Sequence, residues 1–399
     1  MSKMKAILKA AAIFAMAIMM ASCDGSIGLM IHTAKVFDGI MSFNHRNDVE
    51  DDTIRFVVNK QNQMLFLAEI NGVTDTVIYD SGVNTFAILM YTPSTKSEGM
   101  KFYNISILGA DKRSKVKATT MPVKISTAML LSEGLGMAML VPESPKCDNE
   151  FALSEHNIIG FGGLDLSPYA IDFSKNQMYC IRDRLLIDST EFIPVKCKYS
   201  HNVMFVYPQI NGVEYECVFD TGNGNGILIQ DAQRVKNQVD TDMLMEGSFS
   251  ITIGGATKKQ HFVVDTDEIV GLAGHEEAFP VMYLEKGLSF NNVGLQFIKR
   301  FDWIIDSRYN PTTHKRSYRM YARPHAGDTV IFNKPHYAIS TADGTLKILT
   351  RLIDGNEKFK VGDRIVSVNG EKITEENICH YYDLLTENKD WSEFEIQVK

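Results

Sequence analysis

The chain has 399 residues, of which 45% are hydrophobic and 23% charged, and its formal net charge is −8. A globular chain of this length is expected to form two or three domains, because a single hydrophobic core rarely serves so many residues. The acidic balance lacks the electrostatic signature of a nucleic-acid-binding protein, so no nucleic-acid partner is predicted.

Residues 1–22 have the composition of a secretory signal. Lysines at positions 3, 5 and 9 precede an apolar run that is too short for an ordinary membrane-spanning helix. The run ends in Met20-Ala21-Ser22-Cys23, which resembles the lipobox of bacterial lipoproteins. This resemblance implies lipidation of Cys23 and anchoring to a membrane of the bacterial cell envelope, facing the periplasm or the cell surface. The alternative is an ordinary cleaved signal beside an unrelated cysteine.

Residues 23–50 show no clear period and are interpreted as a spacer with a first strand. From Ile54 onward, short apolar runs with a period of two are separated by Asn-Gly turns, which is typical of β-hairpins. Little helical periodicity occurs before residue 374, so the body is predicted to be mainly β. The first predicted strands are Ile54–Val58, Met64–Ile70, Val73–Tyr79 and Phe86–Met90.

An internal duplication is the most informative feature of the chain. Two segments match at an offset of 140. The first reads Ile70-Asn71-Gly72-Val73, then six residues, then Asp80-Ser81-Gly82. The second reads Ile210-Asn211-Gly212-Val213, then six residues, then Asp220-Thr221-Gly222. A later block, Ile159-Gly160 through Asp172, recurs as Val293-Gly294 through Asp306, at an offset of 134. The duplication predicts two similar lobes, at residues 51–187 and 188–325.

Asp80 and Asp220 each follow an apolar strand, so their carboxyl groups are expected to have little contact with water. Two such carboxyl groups a hydrogen bond apart cannot both ionise, and they share one proton. The ionised group can take a proton from an attacking water, and the protonated group can donate to a peptide carbonyl. The sequence leaves open which aspartate carries the proton.

The duplicated motifs resemble those of a known family. Asp80-Ser81-Gly82 and Asp220-Thr221-Gly222 resemble the Asp-Thr/Ser-Gly motifs of aspartic proteases, and Ile158-Ile159-Gly160 and Val293-Gly294 resemble the element behind each catalytic loop. Residues 294–301 look like the bacterial retropepsin-like branch, while two lobes in one chain are similar to the pepsin arrangement. The resemblance covers about residues 54–322. It implies two pseudo-symmetric β-barrel lobes, a monomer with an internal pseudo-dimer, and no metal or cofactor.

The resemblance also implies a role for each matching residue. Asp80 and Asp220 would be catalytic, and Ser81 and Thr221 would hydrogen-bond across the lobe interface. The remaining residues would be glycines that allow close backbone approach or residues behind the site: Gly82, Gly222, Ile159, Gly160, Val293 and Gly294. Hairpins near Gly109–Arg113 and Gly254–Lys259 are candidates for a flap, or for a position behind one.

Three positions depart from the family pattern. Val83 and Asn223 stand where the family usually has Ala or Ser/Thr, and Asn292 replaces the first apolar residue of the second element behind the site. The main hypothesis is a membrane-anchored aspartic endopeptidase with a peptide or protein substrate. The alternative, which these departures favour, is a non-catalytic peptide-binding protein of the cell envelope.

Residues 328–399 differ in character from the rest of the chain. The run from Val361 to Gly370 reads Val-Gly-Asp-Arg-Ile-Val-Ser-Val-Asn-Gly and closely resembles the core of PDZ domains. A helix from Thr374 to about Thr386 and strands at Leu346–Leu352 and Phe394–Val398 are predicted around it. The resemblance implies a small α+β domain that binds peptide at a loop near Tyr337, Ala338 and Ile339, although Ala338 stands where that family usually has Gly. The alternative is a structural domain that docks on the lobes.

Five cysteines follow Cys23, and this odd number leaves at least one free thiol. None has the Cys-x-x-Cys spacing of a zinc site, so no metal is predicted. Cys217 lies within an apolar strand and is interpreted as a small buried hydrophobic residue.

Overall fold

A computed structural model of the chain shows a mainly β protein. The structure describes residues 53–108, 113–129, 131–141, 147, 156–164, 168–181, 191–237, 243–252, 255–310, 315–325, 336–341, 344–355, 358–388 and 390–399. The signal segment 1–22, Cys23 and the spacer 23–50 lie outside these residues, so those predictions stay predictions. Within the described part of the chain, no helix is both long and apolar enough to cross a membrane.

Strands form most of the described part of the first half of the chain. The four early strands occur where they are predicted, to within one residue. In β1 and β2 buried residues alternate with more exposed ones, whereas β3 and β4 each bury three consecutive residues. A short 3-10 turn, Phe161–Leu164, follows β8. The strands are β1 (Thr53–Val58), β2 (Met64–Ile70), β3 (Val73–Asp80), β4 (Ala87–Tyr91), β5 (Tyr103–Leu108), β6 (Arg113–Ser126), β7 (Leu131–Leu140), β8 (Asn157–Gly160), β9 (Tyr169–Asp172) and β10 (Gln177–Cys180).

The second half repeats this pattern with shorter strands and two short helices, α1 (Ala232–Lys236) and α2 (Leu295–Ile298). Its strands are β11 (Ile193–Val195), β12 (Cys197–Ser200), β13 (Val203–Val206), β14 (Gln209–Ile210), β15 (Val213–Glu214), β16 (Cys217–Asp220), β17 (Ile227–Gln230), β18 (Met243–Gly247), β19 (Ile251–Thr252), β20 (Gly255–Ala256), β21 (Gln260–Asp265), β22 (Ile269–Leu272), β23 (His275–Ala278), β24 (Val281–Leu284), β25 (Asn291–Gly294), β26 (Phe301–Asn310) and β27 (Lys315–Pro324).

The C-terminal unit comprises β28 (Tyr337–Ser340), β29 (Lys347–Leu352), β30 (Ile365–Val368), β31 (Glu371–Lys372), α3 (Ile378–Glu387) and β32 (Ile396–Val398). The predicted helix start at Thr374 is wrong by four residues. The Asn377 side chain accepts a hydrogen bond from the Thr374 backbone N–H at 2.7 Å, which closes a turn before the helix. The polar residues at 374–377 therefore form this turn, and Asn377 is the N-cap.

The two predicted Asn-Gly turns are confirmed by their backbone angles. Asn71 and Gly72 have φ values of 51° and 86°, and Asn211 and Gly212 have values of 47° and 79°. Two consecutive residues with positive φ are what a two-residue hairpin between twisted strands requires. The duplicated turns thus connect β2 to β3 and β14 to β15.

The two halves share one topology around their aspartates. In the first half, β3 runs parallel to β8, and β4 pairs with β8 in the antiparallel sense. In the second half, β16 runs parallel to β25, and β17 pairs with β25 in the antiparallel sense. The hairpins proposed as flap candidates close at the Leu108–Arg113 pair and at the Thr252–Gly255 pair, and the tips beyond these pairs lie outside the described residues.

A run of six strands, β11-β27-β26-β9-β10-β1, joins the halves. Ala170 of β9 pairs with Ile304 of β26, and these two residues are related by the sequence offset of 134. A pairing of equivalent residues in antiparallel strands requires a local two-fold axis at this point. The halves therefore face each other symmetrically, and the predicted limits of residues 51–187 and 188–325 stay predictions.

The residues packed beneath the two aspartates occupy equivalent positions but differ in chemistry between the halves. In the first half, the hydroxyl groups of Tyr79 and Tyr169 lie 3.0 Å apart and are buried. The equivalent residues, Phe219 and Trp303, make an edge-to-face contact with ring centroids 4.7 Å apart. Both pairs fix the strand that ends in the aspartate against the strand at the interface between the halves.

The C-terminal unit extends a sheet of the second half. Strand β29 pairs antiparallel with β18, and Arg351 makes an ion pair with Glu246 at 2.7 Å across this junction. Gly247 allows the contact, because a Cβ there would lie 2.1 Å from the carbonyl oxygen of Leu349. The unit has a core of its own, formed by Ile339, Leu346, Ile348, Phe359, Ile365, Val368, Ile378, Leu385 and Trp391.

A disulfide between Cys147 and Cys379 connects the first half to helix α3, across 232 residues of sequence. Cys180, Cys197 and Cys217 are not disulfide-bonded, and Cys217 is buried, as predicted. Alkylation in denaturant without reductant should therefore label three of the five cysteines that follow residue 100, and peptide mass mapping should identify those three. Prior reduction should expose all five. Labelling of Cys147 without reduction would contradict this pairing.

Candidate active site

Each aspartate is held at the end of a buried strand by a tight turn of its own backbone. Asp80 follows Tyr79, which is buried, and Oδ1 of Asp80 accepts a hydrogen bond from the Gly82 N–H at 3.0 Å. Asp220 follows Phe219 in the same way, and its Oδ1 accepts from the Gly222 N–H, also at 3.0 Å. Both side chains are thereby fixed at the ends of the strands that converge on the local two-fold axis.

Ser81 and Thr221 bridge the two turns with reciprocal hydrogen bonds. The Ser81 hydroxyl donates to the carbonyl oxygen of Phe219 at 2.7 Å and accepts from the Thr221 N–H at 2.9 Å. The Thr221 hydroxyl donates to the carbonyl oxygen of Tyr79 and accepts from the Ser81 N–H, both at 2.9 Å. Both side chains are fully buried. The predicted contact across the interface is present, and it holds the two turns together.

Replacing Thr221 with valine should destabilise the protein by about 1–3 kcal/mol, because it removes the hydroxyl that accepts from the buried Ser81 N–H and donates to the Tyr79 carbonyl. Thr221→Ser is the matched control, since it keeps the hydroxyl and reproduces the residue of the first half. Urea unfolding at one pH measures both variants. Equal midpoints for Thr221→Val and Thr221→Ser would contradict the proposed importance of this bridge.

Gly82 and Gly222 lie against the opposite aspartate. A Cβ on Gly82 would be 2.4 Å from Cγ of Asp220, and a Cβ on Gly222 would be 2.1 Å from Cγ of Asp80. Real Cβ atoms do not approach other atoms so closely, so only glycine fits at either position. The close backbone approach predicted for these glycines is present, and it lets the two carboxyl groups meet.

The carboxyl groups of Asp80 and Asp220 are hydrogen-bonded to each other. Burial raises the pKa of Asp80 well above its usual range, and the negative charge of Asp220 and the hydrogen bond between the two groups raise it further. Backbone N–H groups of Gly82 and Val83 act in the opposite direction but do not offset these effects. Burial and the neighbouring carboxyl group of Asp220 thus favour the protonated form of Asp80.

The residues predicted to lie behind the site do so. Ile159 and Val293 are fully buried beneath the two turns. A Cβ on Gly160 would lie 2.0 Å from the carbonyl oxygen of Thr85, and one on Gly294 would lie 2.2 Å from that of Asn225. These glycines thus let β8 and β25 pass directly behind the loops that follow the aspartates.

The second aspartate has an additional polar neighbour that sequence reasoning did not assign to the site. The Asn292 amide donates to Oδ2 of Asp220 at 2.6 Å, and the Asn223 amide donates to Oδ1 of Asn292 at 2.8 Å. The sequence signal was present, because both asparagines are departures from the family pattern. Their cooperation was not visible, since 69 residues separate them.

The predicted peptide loop belongs to the separate core of the C-terminal unit. Tyr337 stacks on Trp391 with ring centroids 4.7 Å apart, and Ile339 is buried. These residues and Ala338 form β28, the last strand of its sheet, with helix α3 packed nearby. Cys147 is bonded to the first turn of α3, and its Sγ lies 3.9 Å from Oγ1 of Thr341, just beyond β28. Cys147 therefore links the first turn of α3 to the residue that follows β28.

Neither sequence relatives nor metal-binding clusters point to another site. No protein-family model matches the sequence, and no curated protein matches it. Among the described residues, no group of three or more His, Cys, Asp or Glu side chains is arranged to hold a metal ion. Asp80, Asp220 and their neighbours are therefore the candidate functional residues.

Proposed function

We propose that the protein is an aspartic endopeptidase that hydrolyses peptide bonds with a water activated between Asp80 and Asp220. One observation carries the proposal: the two carboxyl groups are hydrogen-bonded to each other at a local two-fold axis, and the pKa of Asp80 is raised by burial and by Asp220. Two coupled carboxyl groups of this kind can supply a general base and a general acid at the same pH.

The reaction requires that the carboxyl groups of Asp80 and Asp220, here called the dyad, together carry one proton. The ionised carboxylate removes a proton from water as the water oxygen bonds to the carbonyl carbon of the substrate, and the protonated carboxyl donates to the carbonyl oxygen. The tetrahedral intermediate then collapses. The proton taken from water passes to the leaving nitrogen, the C–N bond breaks, and a hydroxyl proton of the intermediate returns to the other aspartate. The products are an acid and an amine, and the dyad is regenerated with one proton.

The rigid bridge between the turns suits this chemistry. Ser81 and Thr221 use both their hydroxyls and their backbone N–H groups on the opposite turn, so neither turn can shift alone. Fixing both catalytic groups before substrate binds removes much of the reorganisation that would otherwise slow the reaction. No metal or cofactor is part of this proposal.

We further propose that the protein is attached to the bacterial cell envelope through lipid on Cys23. The Cys147–Cys379 disulfide supports export, because stable disulfides persist mainly in oxidising compartments. The C-terminal unit is proposed to be a PDZ-like domain that helps to select or present peptide at the edge of β28.

The alternative is a protein of the same fold that binds peptides but does not cleave them. The hydrogen bond from Asn292 to Asp220 favours this alternative, since it uses a lone pair of a carboxylate that would act on water. The test is incubation of extended peptides with the protein from acidic to neutral pH, with mass-spectrometric detection of products. Cleavage that a statine-containing peptide blocks supports the protease. Saturable binding without products supports the alternative.

A further inference from the structure

One difference between the two halves near their aspartates lies on the strands behind them, at Ile158 and Asn292. Asn157 and Asn291 are related by the offset of 134, and their side-chain oxygens accept from the backbone N–H groups of Met90 and Gln230, both at 2.9 Å. The next residues on the same strands differ, since Ile158 occupies the position equivalent to Asn292. The asymmetry is therefore local to this position, within strands that otherwise match.

Ile158 and Asn292 present different groups to the neighbouring aspartates. Ile158 is buried in an apolar cluster with Ile78 and Ile88 and offers Asp80 no hydrogen bond. Asn292 lies between the equivalent residues, Val218 and Leu228, and donates to Asp220 instead. A hydrogen bond to a charged group is strengthened by apolar surroundings, because little water competes for the donor.

The hydrogen bonds received by the two carboxyl groups differ in number. Asp220 accepts three from outside the pair: from the N–H groups of Gly222 and Asn223 on Oδ1, and from the Asn292 amide on Oδ2. Asp80 accepts two, from the N–H groups of Gly82 and Val83. Each donated hydrogen bond stabilises an ionised carboxylate, so the better supplied group holds the negative charge more readily.

We propose that Asn292 is a positioning residue that localises the negative charge of the dyad on Asp220 and leaves the proton on Asp80. Asn223 supports this role by holding the Asn292 amide in the orientation that donates. The inference deepens the proposed function, on which its catalytic meaning rests: Asp220 would accept the proton of water, and Asp80 would donate to the carbonyl. The raised pKa of Asp80 agrees with this division.

Other titratable groups near the dyad have partners of their own. Strands β8, β17 and β25 carry no titratable side chain. On β3, Asp75 accepts from the Asn157 amide at 2.6 Å and Tyr79 contacts the Tyr169 hydroxyl. Cys217 on β16 is a buried thiol whose pKa burial raises, and burial likewise raises the pKa of Tyr91 on β4. Lys299, beyond α2, donates to Asn62 at 2.9 Å. Asp75 is the other carboxyl group on these strands, so the signals of Asp80 and Asp220 must be assigned individually.

The test is a titration of the protein labelled with ¹³C at aspartate carboxyl carbons, with Asp80→Asn and Asp220→Asn used to assign the two signals. In the wild type, the first proton lost from the dyad should shift mainly the Asp220 signal. Asn292→Leu, which keeps the shape of the side chain but not the amide, should raise the midpoint of this first step by about one pH unit, the size expected for a hydrogen bond to a charged group. The midpoint of the second step, at which the pair loses its remaining proton, should move less.

Two further variants make the result specific. Asn291→Ala alters the neighbouring residue on β25, whose amide contacts the backbone of Gln230, and should leave the midpoint unchanged. Asn223→Val reproduces Val83 of the first half and should raise the midpoint by less than Asn292→Leu. Combined with Asn292→Leu it should add nothing, because both changes remove the same interaction. Asn223→Val also carries the test if Asn292→Leu does not fold.

The outcomes separate this inference from the proposed function, because the titration does not require turnover. An unchanged midpoint in Asn292→Leu, or a first step that shifts mainly the Asp80 signal, would overturn the inference. A shifted midpoint in a protein that cleaves no peptide would leave the inference intact and refute the proposed function. In an active protein, the acid limb of the pH profile of kcat/KM should move with the midpoint.

Discussion

Asp80→Asn and Asp220→Asn are each expected to reduce peptide cleavage by at least about 10³-fold, because either change removes a group that must transfer a proton in the reaction. An amide cannot serve as the base, and it cannot supply the acidic proton. The two losses should not add in a double variant, since the groups act as one unit. The hydrogen bond between the two carboxyl groups is the structural reason for this expectation.

Initial rates on a fluorogenic peptide, measured from acidic to neutral pH, test this expectation. Asp267→Asn is a suitable control, because Asp267 is an exposed carboxylate in the second half and should be replaceable without loss. Folding of each variant is checked by its unfolding midpoint. Cleavage that survives both Asp80→Asn and Asp220→Asn would refute the dyad as the source of activity.

Gly222→Ala should reduce activity by at least about 10²-fold while both aspartates remain in the chain. The new Cβ would lie 2.1 Å from Cγ of Asp80, so the turn or the carboxyl group must move, and the two carboxyl groups can no longer share a proton. Gly82→Ala should act in the same way through Asp220, where the distance is 2.4 Å. A displacement of about 1 Å at reacting groups is enough to reduce rates by about 10²-fold.

Gly162→Ala provides the matched control for these glycine variants. Gly162 lies in the 3-10 turn after β8, and a Cβ there would have no atom within 4 Å. The same cleavage assay and the binding of a statine-containing peptide measure all three variants. Full activity in Gly222→Ala would show that the turns are looser than the structure indicates.

Much of the candidate site could be predicted from the sequence because its residues lie in short motifs that occur twice in the chain. Asp80 and Asp220 each close a turn directly after an apolar strand, and equal spacing in two copies predicts that the turns meet across an axis. The bridge between Ser81 and Thr221 follows from the resemblance and is present in the structure. The Asn-Gly turns depend only on backbone preference, and they too were predicted correctly.

Other features depend on contacts that sequence spacing does not encode. The role of Asn292 depends on the register between β16 and β25, which brings its amide to Asp220 across 72 residues. The pairing of Cys147 with Cys379 depends on how the C-terminal unit docks on β18. The start of α3 depends on one side-chain hydrogen bond, from the Thr374 N–H to Asn377, that competes with the first helical turn.

The shared proton can be measured without activity, by comparing the pH dependence of unfolding in the wild type and Asp80→Asn. The pKa of Asp80 is raised in the folded state, so the folded protein binds more protons than the unfolded chain above the usual carboxyl range. The stabilising contribution of protonated Asp80 is complete below the unfolded pKa and is lost as pH rises through the folded pKa. Wild-type stability should therefore fall relative to Asp80→Asn between acidic and neutral pH. Parallel stability curves across that range would contradict a dyad that holds one proton.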